Sequence, residues 1–300
     1  MTMEHILETK LLGRSPMGAY LRLNEWIWTR LPASTARLRP VTAYGRLLHS
    51  LVRQRERRQY FGTFFLRNRP ELEVMGRLAR GIGREKPARI AVLGCSIGTE
   101  AYSIMWAIRS RHPDSKVVMQ AVDISSEAVA VAREGAYSRG VHELADEPVC
   151  RLMTDEEIRS MFDAAGGTLR VKEWIREGIA WQVGDAGHPR ILESLGAQDI
   201  VVANRFLCHM EPEHAERCLR NLARLVDPGG YLFVSGIDLD VRTKVARDLG
   251  WTPVRDLLED IHDGDRTLRR SWPCRYWGLE PLDRGRRDWQ VRYASVFQLG

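Results

Sequence analysis

The stretch Arg89-Ile-Ala-Val-Leu93 is a run of strand-forming residues that passes directly into Gly94-Cys-Ser-Ile-Gly98-Thr-Glu100, and a helical pattern follows to Arg111. Glycine at a point where a strand turns tightly into a helix permits positive φ and lets a ligand approach bare backbone. The spacing is G-x-x-x-G, which is neither the G-x-G-x-x-G dinucleotide fingerprint nor the G-x-x-x-x-G-K-[ST] phosphate loop. A polyphosphate ligand is therefore disfavoured. The next apolar run ends in Ala121-Val-Asp123-Ile124. An acidic side chain there can accept hydrogen bonds from a ribose diol and would repel a ribose 2′-phosphate.

Outward from this turn, the β-rich runs Arg89–Leu93, Lys116–Val122, Ile179–Val183, Asp199–Ala203 and Tyr231–Ser235 alternate with helical patterns at Thr99–Arg111, Ser126–Glu134 and Glu213–Leu225. Strands separated by helix-length segments predict βαβ units, and so an α/β, doubly wound, mostly parallel sheet covered on both faces. Residues 137–175 read as a mostly helical insert. The tail from Trp289 to Leu299 reads as a strand with no helix after it, entering antiparallel. A glycine turn without a phosphate grip, a ribose-binding acid on the next strand and an antiparallel closing strand together point to S-adenosylmethionine (SAM).

From Leu11 to Leu78 apolar residues recur at helical spacing, with Pro16, Pro32, Pro40 and Pro70 as expected helix boundaries. The chain thus divides into an N-terminal helical segment, 1–88, and an α/β domain, 89–300. The aromatic and aliphatic face Tyr20, Leu21, Trp26, Ile27, Trp28 and Leu31 has core packing as its plainer reading, and a lipid-lined pocket or membrane-surface contact as the other. The net charge of +6 is uneven: residues 1–88 carry 17 Lys and Arg against 7 Glu and no Asp, net +10, and the remainder is net −4. The basic run at 53–58 raises nucleic-acid binding, against which stands the lack of an RNA-reading motif.

With 300 residues, 44% hydrophobic and 28% charged, the chain is large enough for a substantial core and is neither a disulfide miniprotein nor a disordered tail. The odd set Cys95, Cys150, Cys208, Cys218 and Cys274 forms no CxxC pair and predicts free thiols in a reducing, cytoplasmic setting. The sequence has no apolar run near the roughly 20 residues of a membrane span. His262, among Asp260, Asp263 and Asp265, reads as a hydrogen-bonded loop ahead of a metal site, so no metal is expected.

At these residues the sequence resembles the CheR family, the chemotaxis-receptor carboxyl methyltransferases among class I SAM-dependent enzymes. GCSIGTEAYSIM at 94–105 is similar to that family's GCSTGEEPYSIA-type motif, AVDISSEAVAVAREGAY at 121–137 to its A-x-D-I pattern, LVDPGGYLFVSG at 225–236 to its late L-x-P-G-G-Y-L-F, and Thr63-Phe-Phe-Leu-Arg67 to its T-x-F-F-R. The resemblance implies the family's seven-stranded class I sheet and SAM as cofactor. It places Gly94, Cys95, Ser96, Gly98 and Glu100 along the cofactor, with Glu100 at the methionine end. It assigns Asp123 to the ribose and Ile124 to the adenine, and sets Asp185, Asn204, Arg205 and Phe206 beside the cofactor. Thr63 and Arg67 would come from the helical segment to close the site.

One departure bears on substrate. Where the family reads C-R-N-V-x-I-Y-F, this chain reads Ala203-Asn-Arg-Phe-Leu-Cys-His-Met210, exchanging Arg and Asn and placing His209 at the tyrosine implicated in positioning the receptor glutamate. A carboxylate, with reference pKa near 4, needs no general base at pH 7, so orientation by Arg67 or Arg205 can carry the reaction. His209 has three readings: hydrogen-bond donor to the acceptor, structural residue of the helix that follows, or base. The chain is also similar in pattern to quorum-sensing methyltransferases that esterify 3-hydroxy fatty acids. The aromatic, basic N-terminal segment suits that acceptor and an acidic acyl carrier protein to present it. The expected function is a SAM-dependent carboxyl O-methyltransferase acting on a small or fatty anionic carboxylic acid, with CheR-type methylation of protein glutamate as the alternative.

Overall fold

A computed structural model describes residues 16–32, 35, 38–53, 63–83, 86–141, 144–145, 147–264, 272–273 and 279–300. Residues 54–58 of the basic run, Asp265, Cys274 and the rest of 274–277 lie outside the described residues. The chain divides into two compact units, one formed by residues up to 57 with 266–281 and a larger one formed by 58–265 with 282–300. The division therefore falls at 57/58, against the expected 88/89.

In the smaller unit, α1 (Pro16–Trp28) and α2 (Arg39–Arg53) begin at or next to the prolines that the sequence marks as boundaries, as proline suits a helix's first turn. Trp28 meets Trp272 edge-on at 5.4 Å, and a Cβ on Gly45 would fall 2.3 Å from the Trp272 ring, so glycine lets the indole pack on the helix. The expected core packing of the aromatic face is only partial. Trp26 is 55% exposed beneath the Arg30 guanidinium, and Tyr20 and Ile27 are also exposed.

The larger unit begins with a turn at 63–68 and α3 (Arg69–Ile82), whose start carries Pro70. There follow β1 (Ala88–Leu93), α4 (Thr99–Arg109), β2 (Val117–Asp123), α5 (Ser126–Glu134), β3 (Ala136–Ser138), α6 (Asp155–Met161), β4 (Phe162–Ala165), β5 (Thr168–Val171), α7 (Glu173–Arg176) and β6 (Ile179–Val183). The chain continues through α8 (Ile191–Leu195), β7 (Gln198–Val202), α9 (Pro212–Ala223), β8 (Val226–Phe233), α10 (Leu239–Asp248), β9 (Thr252–Pro253), α11 (Leu258–Asp263), α12 (Trp289–Tyr293) and β10 (Val296–Gln298).

Seven strands form one sheet in the order β6-β2-β1-β7-β8-β10-β9. The pairs β6/β2, β2/β1, β1/β7 and β7/β8 are parallel, and β10 lies antiparallel between β8 and β9. This is the doubly wound class I sheet. Ile90, Val92, Met119 and Ile200 bury one face in the first core cluster, and Ala91, Leu93, Val122 and Val201 bury the other face in the second. Near-continuous apolar runs in a parallel strand reflect burial on both faces. The order reverses between β1 and β7, and ligands of open α/β sheets bind beyond the strand C-termini at such a switch.

Two sequence expectations are corrected. The insert at 137–175 is built on a second, three-stranded antiparallel sheet, β3-β5-β4, with the short helix α6 and the start of α7 among its described residues. The Gly166-Gly167 turn, both residues at positive φ, closes a hairpin that helical periodicity does not reveal. The tail is not one strand: Trp289–Tyr293 is helical before β10. Its Arg292 and Tyr293 are buried, and Arg292 pairs with Asp240 at 2.8 Å, so tertiary packing decides a segment whose alternation reads as strand. The buried Arg242 donates to Val234 O at 2.8 Å and Arg292 O at 2.7 Å, fastening α12 to the end of β8. Among the described residues no helix is long and apolar enough to cross a membrane, and Cys95, Cys150, Cys208 and Cys218 are free thiols.

Candidate active site

At the C-terminal ends of β1, β2, β6 and β7, a cavity of about 300 Å³ lies within the larger unit. Every candidate from the sequence except Gly98 lines it: Thr63, Arg67, Gly94, Cys95, Ser96, Glu100, Asp123, Ile124, Asp185, Asn204, Arg205, Phe206 and His209. Gly98 shapes the wall from behind, as the left-handed N-cap of α4 at φ 88°. A Cβ there would fall 2.9 Å from Trp181 and 3.0 Å from Ala132.

The glycine turn is tied to the second strand. Asp123 accepts from Ser96 N at 2.7 Å through one carboxylate oxygen and from Ser125 N at 2.9 Å through the other. A carboxylate has about four acceptor sites, so the remaining lone pairs stay available to a diol. Beside Asp123, Ile124 is 62% exposed and adds an apolar surface to the cavity. Asp185 turns its own loop by accepting from Gly187 N at 2.8 Å.

The turn at 63–68 is pinned to α4. Leu66 N donates to Ser103 Oγ at 2.9 Å, and the Thr63 and Thr99 hydroxyls share a hydrogen bond. Arg67 lies over the Phe64 ring at 5.0 Å. Across the cavity, Arg205 has φ 64°, and a Cβ on Gly236 would fall 2.6 Å from Arg205 Cα, so this backbone is tightly determined. His209 ends a single 3-10 turn, Leu207–His209, and lines the cavity, while Glu211 is the N-cap of α9. The following helix is thus capped by Glu211 and not by His209.

Asn204 joins the two sides. Its Nδ2 donates to Glu71 Oε1 at 2.7 Å and to Glu100 Oε1 at 2.8 Å, and its Oδ1 accepts from Ser235 Oγ at 2.7 Å. Burial pushes the Glu71 carboxyl up to about 7, with the Glu100 charge adding to the rise and Arg205, the Asn204 bond and Arg67 opposing it. Burial also raises Glu100, against the Asn204 bond and the two arginines. Burial raises the Cys95 thiol and pushes Cys208 up to about 11, so neither is a thiolate near neutral pH.

Sequence reasoning missed Glu71. In Asn68-Arg-Pro-Glu71 it occupies the third helical position after an asparagine cap, and Asn68 Oδ1 does accept from Glu71 N at 3.3 Å. That pattern reads as a capping box, in which the acid turns back to the cap. Here the carboxylate turns into the cavity instead. A test follows from linkage. A carboxyl raised from 4.5 to about 7 in the folded state binds its proton more tightly there than in the unfolded chain. The contribution of this carboxyl to the stability of the ligand-free protein then falls as pH rises from 4.5 toward 7, by an amount on the order of 3 kcal/mol, and the raised Glu100 acts in the same direction. Urea midpoints of the wild type and Glu71→Gln at pH 5 and pH 8 read this directly. The variant should lose less stability than the wild type across that interval, and equal losses would contradict the assignment.

The residues fit SAM. Ser96 Oγ is buried in the cavity wall with no hydrogen-bond partner among the described residues. A Cβ on Gly94 would fall 2.9 Å from Phe206, so glycine keeps the backbone bare at the turn. Asp123 presents acceptors, and Glu71 and Glu100 present acid to a cationic group.

Residues 62–240 match the SAM-binding domain of the CheR methyltransferases. The chain is 28% identical over 159 residues to a probable biofilm formation methyltransferase, WspC, of Pseudomonas putida, covering 53% of this chain and 35% of that protein. It is 28% identical over 156 residues to a chemotaxis protein methyltransferase of Vibrio parahaemolyticus, covering 50% and 54%. The match thus spans about half or less of these relatives' lengths. Among solved structures, an O-methyltransferase family protein from Burkholderia thailandensis aligns with TM-score 0.38 and 16% identity over 79% of this chain and 66% of that one. The N-methyltransferase NodS from Bradyrhizobium japonicum, in complex with S-adenosylhomocysteine, aligns with TM-score 0.35 and 15% identity over 63% and 78%.

Proposed function

The chain belongs to the CheR methyltransferase family and uses SAM, and from that premise we propose that it methylates a carboxylate, the acceptor being a glutamate side chain presented by a protein. The observation that carries this reading is that Arg67, Arg205 and His209 line the same cavity as the cofactor candidates. Two guanidiniums suit one short anionic side chain. The relatives named for chemotaxis and biofilm formation support the same acceptor over the fatty acid expected from the aromatic N-terminal segment.

SAM supplies the electrophilic methyl group. The chain's own residues do the rest by orientation. The acceptor is ionised at pH 7 and needs no base. Arg67 and Arg205 can steer its carboxylate, Arg67 held against the Phe64 ring and Arg205 by its backbone. His209 serves as donor to the acceptor. Positioning of this kind is worth roughly 7–11 kcal/mol in favourable cases.

Labelled SAM offered with a receptor-type protein bearing exposed glutamates, with free 3-hydroxy fatty acids and with acyl carrier protein loaded with such an acid separates the acceptors. Label on the protein is the expected result. Label on the free acid, or only in the presence of acyl carrier protein, would replace the protein acceptor with the fatty one.

A further inference from the structure

Glu71 and Glu100 reach the same amide from different elements, α3 and α4, at 2.7 and 2.8 Å from Asn204 Nδ2. Asn204 is held in that orientation because its Oδ1 accepts from Ser235. Both carboxyls line the cavity, and Glu71 is 5% exposed. An amide NH2 has two hydrogens, so each carboxyl receives one and no more from this source. Two acids so placed cannot both ionise at low cost, and they titrate as a pair.

The charged and titratable groups that act on the pair are Arg67, from the turn before α3, Arg205, from the segment after β7, and the Cys95 thiol of the glycine turn, which feels the Glu100 charge; His209 lines the same cavity. The two arginines favour ionisation, but burial and mutual repulsion outweigh them at Glu71. Positive charge that a ligand brings close to the pair therefore favours ionisation of both carboxyls. Near neutral pH SAM brings it: its ammonium and sulfonium outnumber its single carboxylate. The demethylated product, S-adenosylhomocysteine, has lost the sulfonium and carries no net charge.

We propose that Glu71, paired with Glu100 through Asn204, reads the charge of the cofactor, so that loading SAM expels a proton from the pair to solvent and conversion to the neutral product lets a proton return. In the transfer the methyl–sulfur bond breaks, its electron pair stays on sulfur, and the acceptor oxygen forms the new bond. The positive charge near the pair disappears in that step. Glu71 is thus a positioning and specificity residue that favours the methyl donor over the spent product. The inference rests on the cofactor part of the proposed function and is independent of the acceptor.

Titration calorimetry of the full chain with SAM and with S-adenosylhomocysteine, at pH 7 in buffers of different ionisation enthalpy, counts the protons exchanged. The wild type should release more protons with SAM than with the product, and Glu71→Gln should remove that difference. The wild-type preference for SAM over product should also rise from roughly pH 6 to pH 8, by at most about tenfold per pH unit, and be flat in the variant. The ligands' own titration is common to both proteins and cancels. Free-ligand titrations of SAM and S-adenosylhomocysteine, subtracted from the wild-type counts, give the same comparison without the variant, so a poorly folded Glu71→Gln leaves the test intact. Equal counts for the two ligands in the wild type, with SAM bound normally, would overturn this inference and leave the cofactor reading standing.

Discussion

Replacing Asp123 with alanine is expected to raise the dissociation constant for SAM by roughly 30- to 1,000-fold, a loss of about 2–4 kcal/mol. Two contributions make it large. The ribose diol loses one or two hydrogen bonds to a charged acceptor, each worth about 1.5–3 kcal/mol. The glycine turn also loses its tie to β2, since Asp123 accepts from both Ser96 N and Ser125 N. Asp123→Asn should fall between, because its oxygen replaces one acceptor and its NH2 faces a donor. Calorimetry gives the affinity, and a melting curve without ligand separates the turn from the diol. Unchanged affinity in Asp123→Ala would remove the ribose assignment.

The second large effect is expected at Arg205. Its backbone sits at φ 64°, where alanine would be strained and glycine would not. Arg205→Gly therefore removes the guanidinium without adding backbone strain. With a carboxylate acceptor, kcat/KM should fall by about 10- to 150-fold, the worth of one charge-assisted bond that orients the nucleophile. SAM affinity should change much less if Arg205 acts on the acceptor. Its charge also holds the Glu71 carboxyl down. In the variant, the titration belonging to the Glu71–Glu100 pair should accordingly move to higher pH. A kcat/KM within twofold of wild type would show that Arg205 does not guide the acceptor.

Much of this was legible in the sequence, for a physical reason. The turn at 94–98 and the acid at 123 sit where strand, turn and helix follow within a few residues, and local chemistry there dictates local shape. The spacing of Gly94 and Asp123 was enough to place both at one cavity. What escaped depends on contacts far apart in the chain. Glu71 is 133 residues from its partner Asn204, and its local pattern describes a helix cap. The helix at Trp289–Tyr293 follows from Arg292 meeting Asp240, 52 positions earlier. The small sheet β3-β5-β4 pairs strands separated by α6, and its strands are only three or four residues long, too short for periodicity to show. Trp26 shows the converse: its spacing reads as core, yet it is 55% exposed.

The bond that is made separates carboxyl transfer from every other methyl transfer. Protein incubated with SAM labelled in the methyl group and with its acceptor, then treated with mild alkali, reports that bond. A methyl ester of glutamate hydrolyses, so release of the label as volatile methanol is the expected result. Label that remains on the acceptor through alkali, as an N-methyl, S-methyl or C-methyl group would, contradicts carboxyl transfer.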